Sequence, residues 1–259
     1  MTLWKPTWLL TVRALVQFPR LPAVLAFSMM PPLIQFLLFG SLFGNLPDLP
    51  TWKEPTENYY EYLAPAVVFF TTVLGIANAG VSLVTDFQNR YFLKVLLAPI
   101  NMWAILLGRL LSDGVRVYLQ AGVILVLSLF FKGSVATGVP GALLLLLLAT
   151  LFSIFTVGVL VTNIAIKTKD AQAVQAIFPI FFVLIFLTTA FLPKDSISSD
   201  IVKAIISGNP AEYVVRAMRG LMLRPEFDWN EIGLAFAIIG AFAIVGTILT
   251  RLNFRSVYR

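Results

Sequence analysis

Six apolar stretches, each long enough to cross a bilayer as a helix, take up most of this chain. A membrane-spanning helix needs roughly 20 consecutive, mostly apolar residues. Of the 259 residues, 59% are hydrophobic and 12% are charged, whereas soluble domains carry about 25% charged residues. The sequence therefore predicts an all-α integral membrane protein with a single transmembrane domain over residues 1–259. The predicted spans are residues 21–44, 59–85, 103–131, 140–166, 173–192 and 231–250.

The first twenty residues predict an amphipathic helix that lies in the membrane interface. Trp4 and Trp8 suit the headgroup level, and Lys5 and Arg13 can extend their charges toward water. The stretch has no compact apolar core and no small-residue cleavage site, so a cleaved signal peptide is not expected. The alternative for residues 1–20 is a cytosolic tail without regular structure.

Basic residues are unevenly distributed between the two sides of this topology. With six spans, both termini share a side with the loops after the second and fourth spans, and that side is rich in Lys and Arg and poor in acids. The positive-inside rule then predicts that both termini are cytoplasmic. Four or seven spans are the alternatives, because the third span is long and the last insertion is ambiguous. The predicted outer segments are residues 45–58, 132–139 and 193–230.

No catalytic constellation is present in the sequence. Cysteine and histidine are absent, which removes disulfides, thiolate nucleophiles and the usual zinc ligands. No segment matches the glycine-rich loop that cradles nucleotide phosphates, so we expect no cofactor in this chain.

Polar side chains are few within the predicted spans. Asp113 and Arg116 are three residues apart and share a helix face, so they form either an ion relay or a mutual ion pair. We favour the ion pair, because no other span offers a charged partner. Asn78 and Asn163 are each expected to form an interhelical hydrogen bond rather than to bind substrate.

Residues 86–99 predict a short amphipathic helix between the second and third spans. Thr85 or Asp86 can cap its start, and Pro99 ends it. An apolar stripe runs along this helix with polar neighbours beside it, which suits either docking to a cytosolic partner or anchoring at the lipid surface. The candidate docking residues are Asp86, Phe87, Arg90, Tyr91, Lys94 and Val95.

The insertion at 193–230 contains a second clear helix signal. Asn209 is a good N-cap, Pro210 suits the first helical position, and Glu212 completes a capping-box pattern. Glu212 and Arg216 have the spacing of an ion pair on one helix face. Residues 199–207 predict another short helix, so the two together form a re-entrant helical hairpin that dips into the outer leaflet.

Three features together resemble the permease subunit of type-2 ABC exporters, and most closely its drug-exporter group, similar to daunorubicin-resistance permeases. The first is the 86–99 helix followed by the stretch from Ile105 to Arg116, which looks like that family's coupling helix and third span. The second is the Asn-Pro…Tyr…Arg-Gly element from Asn209 to Gly220. The third is the six-span order behind an amphipathic N-terminus, which covers nearly the whole chain.

The resemblance implies partners and roles that the residues alone do not give. The permease would pair with a second copy of itself or a related permease, and with two ABC ATP-binding subunits that bind ATP and Mg²⁺. It would export an amphipathic or lipid-like substrate (a drug, a lipid or a glycan) across a bacterial cytoplasmic membrane, without nucleic acid. Coupling to the ATPase would fall to residues 86–95, and an outer gate to Asn209, Pro210, Glu212, Tyr213, Arg216 and Arg219.

Two other classes of protein compete with this interpretation. An ion-coupled secondary transporter or channel needs ionisable groups within its spans, and only Asp113 and Arg116 are available. A membrane-embedded enzyme, such as a lipid transferase, needs clustered acid, base or metal-binding residues. The scattered acids here do not favour it.

Overall fold

The computed structural model describes residues 4–17, 22–88 and 102–257, and the regular structure in these ranges is helical. A π-helical turn, Ser153–Gly158, joins two helices without a break, and 3₁₀ turns lie at Leu46–Asp48 and Lys194–Ser196. The helices are α1 (Trp4–Gln17), α2 (Pro22–Leu42), α3 (Tyr59–Gln88), α4 (Met102–Phe130), α5 (Gly138–Phe152), α6 (Val159–Thr168), α7 (Ala171–Gln175), α8 (Phe178–Phe186), α9 (Asp200–Gly208), α10 (Pro210–Leu223) and α11 (Trp229–Val257).

Five helical segments are long and apolar enough to cross a membrane, and they match five of the six predicted spans. The predicted fifth span, residues 173–192, is instead divided between α7 and α8. Pro179 lies in the first turn of α8, and a proline has no N–H with which to continue the hydrogen bonds of the preceding helix. The five segments are Phe27–Asp48, Tyr59–Thr85, Trp103–Phe130, Gly138–Thr168 and Trp229–Asn253.

Helix α3 is the centre of the bundle. Its side chains are buried along almost the whole length, and it packs against α2, α4, α6 and α10. Small residues let the neighbours approach: a Cβ added to Gly75 would lie 2.4 Å from Val117, and one added to Gly80 would lie 2.8 Å from Val161. We call the end of the bundle that holds Tyr59 and helices α9 and α10 the hairpin end, and the opposite end the α1 end.

The π-helical turn packs beside the middle of α3 and was not predicted. The Ser153 hydroxyl oxygen lies 2.8 Å from Thr72 Oγ1 and 2.8 Å from the carbonyl oxygen of Ala149, within hydrogen-bond distance of both. Such turns occur mostly where a helix has gained one residue. The apolar residues just before and after the turn, Phe152 and Val159, are both buried.

Polar contacts between spans confirm one asparagine prediction and contradict the other. Asn163 Nδ2 donates to Thr250 Oγ1 at 2.9 Å, and Asn253 donates to Asn163 Oδ1 at 2.8 Å, so Asn163 joins α6 to α11. Asn78 is exposed, and its Nδ2 donates within α3 to the carbonyl of Leu74. The interhelical bond predicted for Asn78 is therefore wrong within this chain.

Candidate functional site

The hairpin end begins where α8 stops. The chain leaves the helix after Phe186 and turns before it reaches the 3₁₀ turn at Lys194. Asn209 spans this break: its Oδ1 accepts from the N–H of Ala211 and caps α10, and its Nδ2 donates to the carbonyls of Leu184 and Leu187 at 2.7 and 2.6 Å. The N-cap predicted for Asn209 is confirmed, and the same side chain satisfies carbonyls that the end of α8 leaves open.

Glu212 and Arg219 hold the turn after α8 from opposite sides of Thr189. The Glu212 carboxylate accepts from the N–H of Thr189 at 2.6 Å and from its hydroxyl at 2.8 Å. Arg219 donates to Thr189 Oγ1 at 2.9 Å and to the Thr189 carbonyl at 2.7 Å. Glu212 and Arg219 are only 5% and 6% exposed. Buried charges are costly unless paired and hydrogen-bonded, so these two are built into the fold around one threonine.

Two tyrosines at the start of α3 complete this arrangement. The Tyr62 hydroxyl donates to the carbonyl of Thr189 at 2.7 Å, and the Tyr59 hydroxyl donates to the carbonyl of Phe191 at 2.9 Å. The Arg219 guanidinium lies 3.9 Å from the centre of the Tyr62 ring, within range of a cation–π interaction. The sequence did not point to these tyrosines as partners of the turn after α8. We call Tyr62, Thr189, Asn209, Glu212 and Arg219 the hairpin clamp.

Two other predicted hairpin residues face away from the clamp. Tyr213 donates from its hydroxyl to the carbonyl of Ser207 at 2.8 Å, tying α10 to α9. Arg216 forms an ion pair with Glu231 at 2.5 Å, and this hydrogen bond raises the pKa of Arg216. The predicted Arg216–Glu212 pair and the reciprocal capping box are therefore wrong, because Glu212 turns inward to Thr189. Pro210 occupies the first turn of α10, as predicted.

A polar cavity of about 360 Å³ opens beside the clamp. Its wall includes the carboxylates of Glu54, Glu212 and Glu231 and the basic groups of Lys194, Arg216 and Arg224. Both signs of charge are interspersed, and most of these groups already have partners. The cavity is therefore polar, and its mixed charges favour neither an anionic nor a cationic ligand.

The loop between α4 and α5 is tied to the same end of the bundle. The N–H of Ala136 donates to the carbonyl of Met222 at 2.8 Å, and the Thr137 hydroxyl donates to the carbonyl of Leu221 at 2.6 Å. Glu61 accepts from the N–H of Ser134 at 2.8 Å. The hairpin is thus held by α3, by the turn after α8 and by this loop.

The α1 end carries a second group of charges on α4. Arg116 forms the predicted ion pair with Asp113 at 3.2 Å, and it also donates to the carbonyl of Gly75 at 3.1 Å. Arg109 lies 3.9 Å from Asp113 and hydrogen-bonds Ser82 of α3. These contacts bind α4 to α3 and leave Asp113 between two arginines.

Most of the predicted coupling residues fall outside the described ranges. Arg90, Tyr91, Lys94 and Val95 are among them. Asp86 and Phe87 lie in the last turn of α3, which continues to Gln88. The prediction that a new helix begins at Thr85 or Asp86 is therefore wrong, because the helix of the second span continues through both residues.

Long apolar helices define this chain as a polytopic integral membrane protein. Residues 6–223 match the ABC-2 type transporter family. The chain belongs to this family and is accordingly a transmembrane permease of an ABC transporter.

Similar proteins include three algal relatives, each named "Putative transport permease ycf38". The relative from Cyanophora paradoxa is 26% identical over 97% of this chain and 89% of its own length. The relative from Porphyra purpurea is 25% identical over 94% of this chain and 89% of its own length. The relative from Pyropia yezoensis is 27% identical over 85% and 74%.

Proposed function

We propose that this permease is the membrane half of an ABC exporter that moves an amphipathic or lipid-like substrate out of the cytoplasm. Two ABC ATP-binding subunits would bind ATP and Mg²⁺, and a second copy of this permease would complete the path. We place it in the drug-exporter group and in a bacterial cytoplasmic membrane. The observation that carries the proposal is family membership together with a buried clamp that fastens the hairpin to α3.

Helix α3 supports a coupling role, because it reaches from one end of the bundle to the other. Its first turn holds the clamp through Tyr62, and its last turn leads into residues 89–101. A helix of this length spans about 45 Å. Movement at the α1 end would therefore reach the hairpin through one continuous helix, and a switch would alternate between two packings of the bundle.

A sixth crossing is supported by the path of residues 171–191. Val174 packs against Gly80 of α3, and the carbonyl of Phe191 accepts from Tyr59 at the other end of that helix. Gly80 and Tyr59 are about 30 Å apart along the helix axis, which is the thickness of a bilayer core. An even number of crossings would put both termini on one side, and we assign that side to the cytoplasm.

Energy coupling gives the direct test of the proposed function. The purified chain should hydrolyse no ATP, whereas a complex with an ABC ATP-binding subunit should hydrolyse ATP, because the phosphate-cradling loop is absent here. Phosphate release is measured for the chain, for the subunit and for the complex. A complex whose ATP-binding subunit lacks its phosphate-loop lysine is the control. Hydrolysis by this chain alone would contradict the proposal.

Topology can be tested because the chain has no native cysteine. Glu57→Cys at the hairpin end should react with an impermeant maleimide in intact cells, since residue 57 is exposed. Gln172→Cys, exposed in the first turn of α7, should react only after the cells are opened. The reverse pattern would mean that the hairpin faces the cytoplasm.

A further inference from the structure

Another pocket, of about 840 Å³, lies at the hairpin end between the ends of α2 and α4 and the start of α3. Its lining runs from Gly44, just after α2, through residues 56–61 to Phe130, Phe131 and Lys132 at the end of α4. No residue of the hairpin clamp lines it. Sites for small molecules commonly have volumes of about 300–1,000 Å³, so this pocket is large enough for a ligand.

Aromatic rings in one wall of the pocket hold each other in place. The Tyr60 ring stacks on Phe131, with the ring centres 4.7 Å apart, and its centre lies 5.4 Å from that of Phe36. Helix α2 approaches Tyr60 so closely that a Cβ added to Gly40 would overlap the ring. The rings therefore have little freedom, and a ligand that contacts them does not have to order them.

The carboxylate of Glu61 is held in a fixed position in the same pocket. Its Oε1 accepts from the N–H of Ser134 at 2.8 Å and from the Ser134 hydroxyl, and its Oε2 accepts from the Thr56 hydroxyl at 2.5 Å. A carboxylate has about four acceptor positions. Glu61 can therefore accept one further hydrogen bond from a ligand.

Glu57 and Lys132 add charges of opposite sign to the lining. Both residues are exposed, and within the part of the chain that the structure describes neither side chain has a hydrogen-bond or ion-pair partner. With Glu61, the pocket offers two carboxylates and one ammonium. A ligand that complements this arrangement carries a cationic group and an anionic group close together.

The pocket lies beside apolar surface at the ends of two spans. Phe130, which lines the pocket, is 80% exposed, and Leu42, two residues before Gly44, is 65% exposed. Both residues belong to segments apolar enough to cross a membrane, and Phe130 is the last residue of its segment. Tyrosines such as Tyr60 are common at the level of the lipid head groups. A head group in the pocket would therefore place its acyl chains beside exposed apolar side chains.

We propose that this pocket binds the zwitterionic head group of a membrane lipid, with the lipid ammonium against Glu57 and Glu61 and the lipid phosphate against Lys132. Hydrogen bonds between charged groups are the strong ones, and the rings of Tyr60 and Phe130 attract the ammonium further. An anionic lipid would gain only the contact with Lys132 and would meet two carboxylates. The bound lipid bridges the ends of α2, α3 and α4, and its binding is independent of the transported substrate.

Native mass spectrometry of the purified permease in a neutral detergent tests this proposal without the ATPase or a substrate. Phosphatidylethanolamine and phosphatidylglycerol with identical acyl chains are each titrated in, and the occupancy of the first bound lipid gives the affinity. Phosphatidylethanolamine should bind about tenfold more tightly or better, because losing one hydrogen bond between charged groups has about this effect. Equal affinity for the two lipids would overturn the proposal.

Free phosphoethanolamine separates a lipid site from a site for a soluble zwitterion. At the same concentration it should not displace phosphatidylethanolamine, because it lacks the acyl chains that contact Phe130 and Leu42. Displacement would overturn the assignment of the ligand as a lipid.

Matched variants locate the site. Lys132→Gly removes the ammonium and suits the backbone, because Lys132 has a φ of 61°, which glycine adopts freely. It should weaken binding of both lipids about tenfold, whereas Glu57→Gln should weaken only phosphatidylethanolamine. Lys169→Gly is the control, since Lys169 has a φ of 53° and is exposed at the α1 end. Equal effects of Lys132→Gly and Lys169→Gly would show that the lipid binds elsewhere. Neither result would alter the assignment of the chain as a permease.

Discussion

Replacing Arg219 by methionine is expected to destabilise the permease by about 3–5 kcal/mol, because a hydrogen bond from a charged group contributes about 1.5–3 kcal/mol and Arg219 donates two to Thr189. The substitution keeps a long apolar stem but removes both hydrogen bonds that Arg219 donates to Thr189, together with its contact with the Tyr62 ring. The carboxylate of Glu212 would then remain buried against Thr189, with the guanidinium on the other side of that residue gone. Thermal unfolding of the purified protein in detergent should show a loss on the order of 10 °C.

Arg224→Met is the matched control for this prediction. Arg224 lies one residue beyond α10, its side chain is 55% exposed, and it pairs with Asp228 at 3.8 Å. Exposed ion pairs contribute about 0–1 kcal/mol, so the control should unfold close to the native temperature. Equal losses for Arg219→Met and Arg224→Met would show that the clamp does not hold the hairpin.

The double variant Arg219→Met with Glu212→Gln tests whether the two charges act together. Both groups bond the same threonine, so removing both should cost clearly less than the sum of the single losses. A local readout comes from Ala190→Cys, a fully buried position in the turn after α8. Maleimide should reach this cysteine slowly in the native background and much faster with Arg219→Met. An unchanged rate would place the loss of stability elsewhere in the molecule.

Local sequence signals predicted the hairpin helices well, but not what their side chains contact. The cap predicted for α10, Asn209, depends on residues within a few positions and is observed, and α9 lies where a short helix was predicted at residues 199–207. The partner of Glu212 and Arg219 is Thr189, which lies 23 and 30 residues away in the chain. The spacing along α10 predicted an ion pair between Glu212 and Arg216. Spacing within one helix gives no information about a distant turn, such as the one after α8, that packs against that helix.

Hydropathy located the spans but did not show where they break or which way they face. The apolar run at 173–192 is continuous, yet Pro179 separates α7 from α8. Asn78 and Asn163 have similar apolar surroundings in the sequence, but only Asn163 faces another helix. The difference arises from the packing of α3 and α6 in three dimensions, which the sequence of a single span does not specify.

Tyr91→Ala and Arg90→Glu are each expected to release the ATP-binding subunit or to uncouple its hydrolysis from transport. Residues 89–101 connect two helices that are fastened together: Arg109 and Arg116 of α4 contact Ser82 and Gly75 of α3. A force applied to this segment would therefore enter two spans at once. Aromatic and arginine anchors dominate protein interfaces, and truncating one costs about 2 kcal/mol or more, or roughly 30-fold in affinity.

Binding of the ATP-binding subunit by detergent-solubilised permease, together with ATP-driven transport in vesicles, measures this effect. Tyr213→Ala and Arg224→Glu carry the same kinds of change at the hairpin end, and the proposed topology puts them across the membrane from the ATPase, so they should retain the subunit. If residues 86–99 only anchor the protein to lipid, Tyr91→Ala and Arg90→Glu should behave like these controls. Normal affinity and normal transport in both variants would remove the coupling role from this segment. The membrane half would then have to receive the force elsewhere at the α1 end, where Lys167 and Arg251 are exposed.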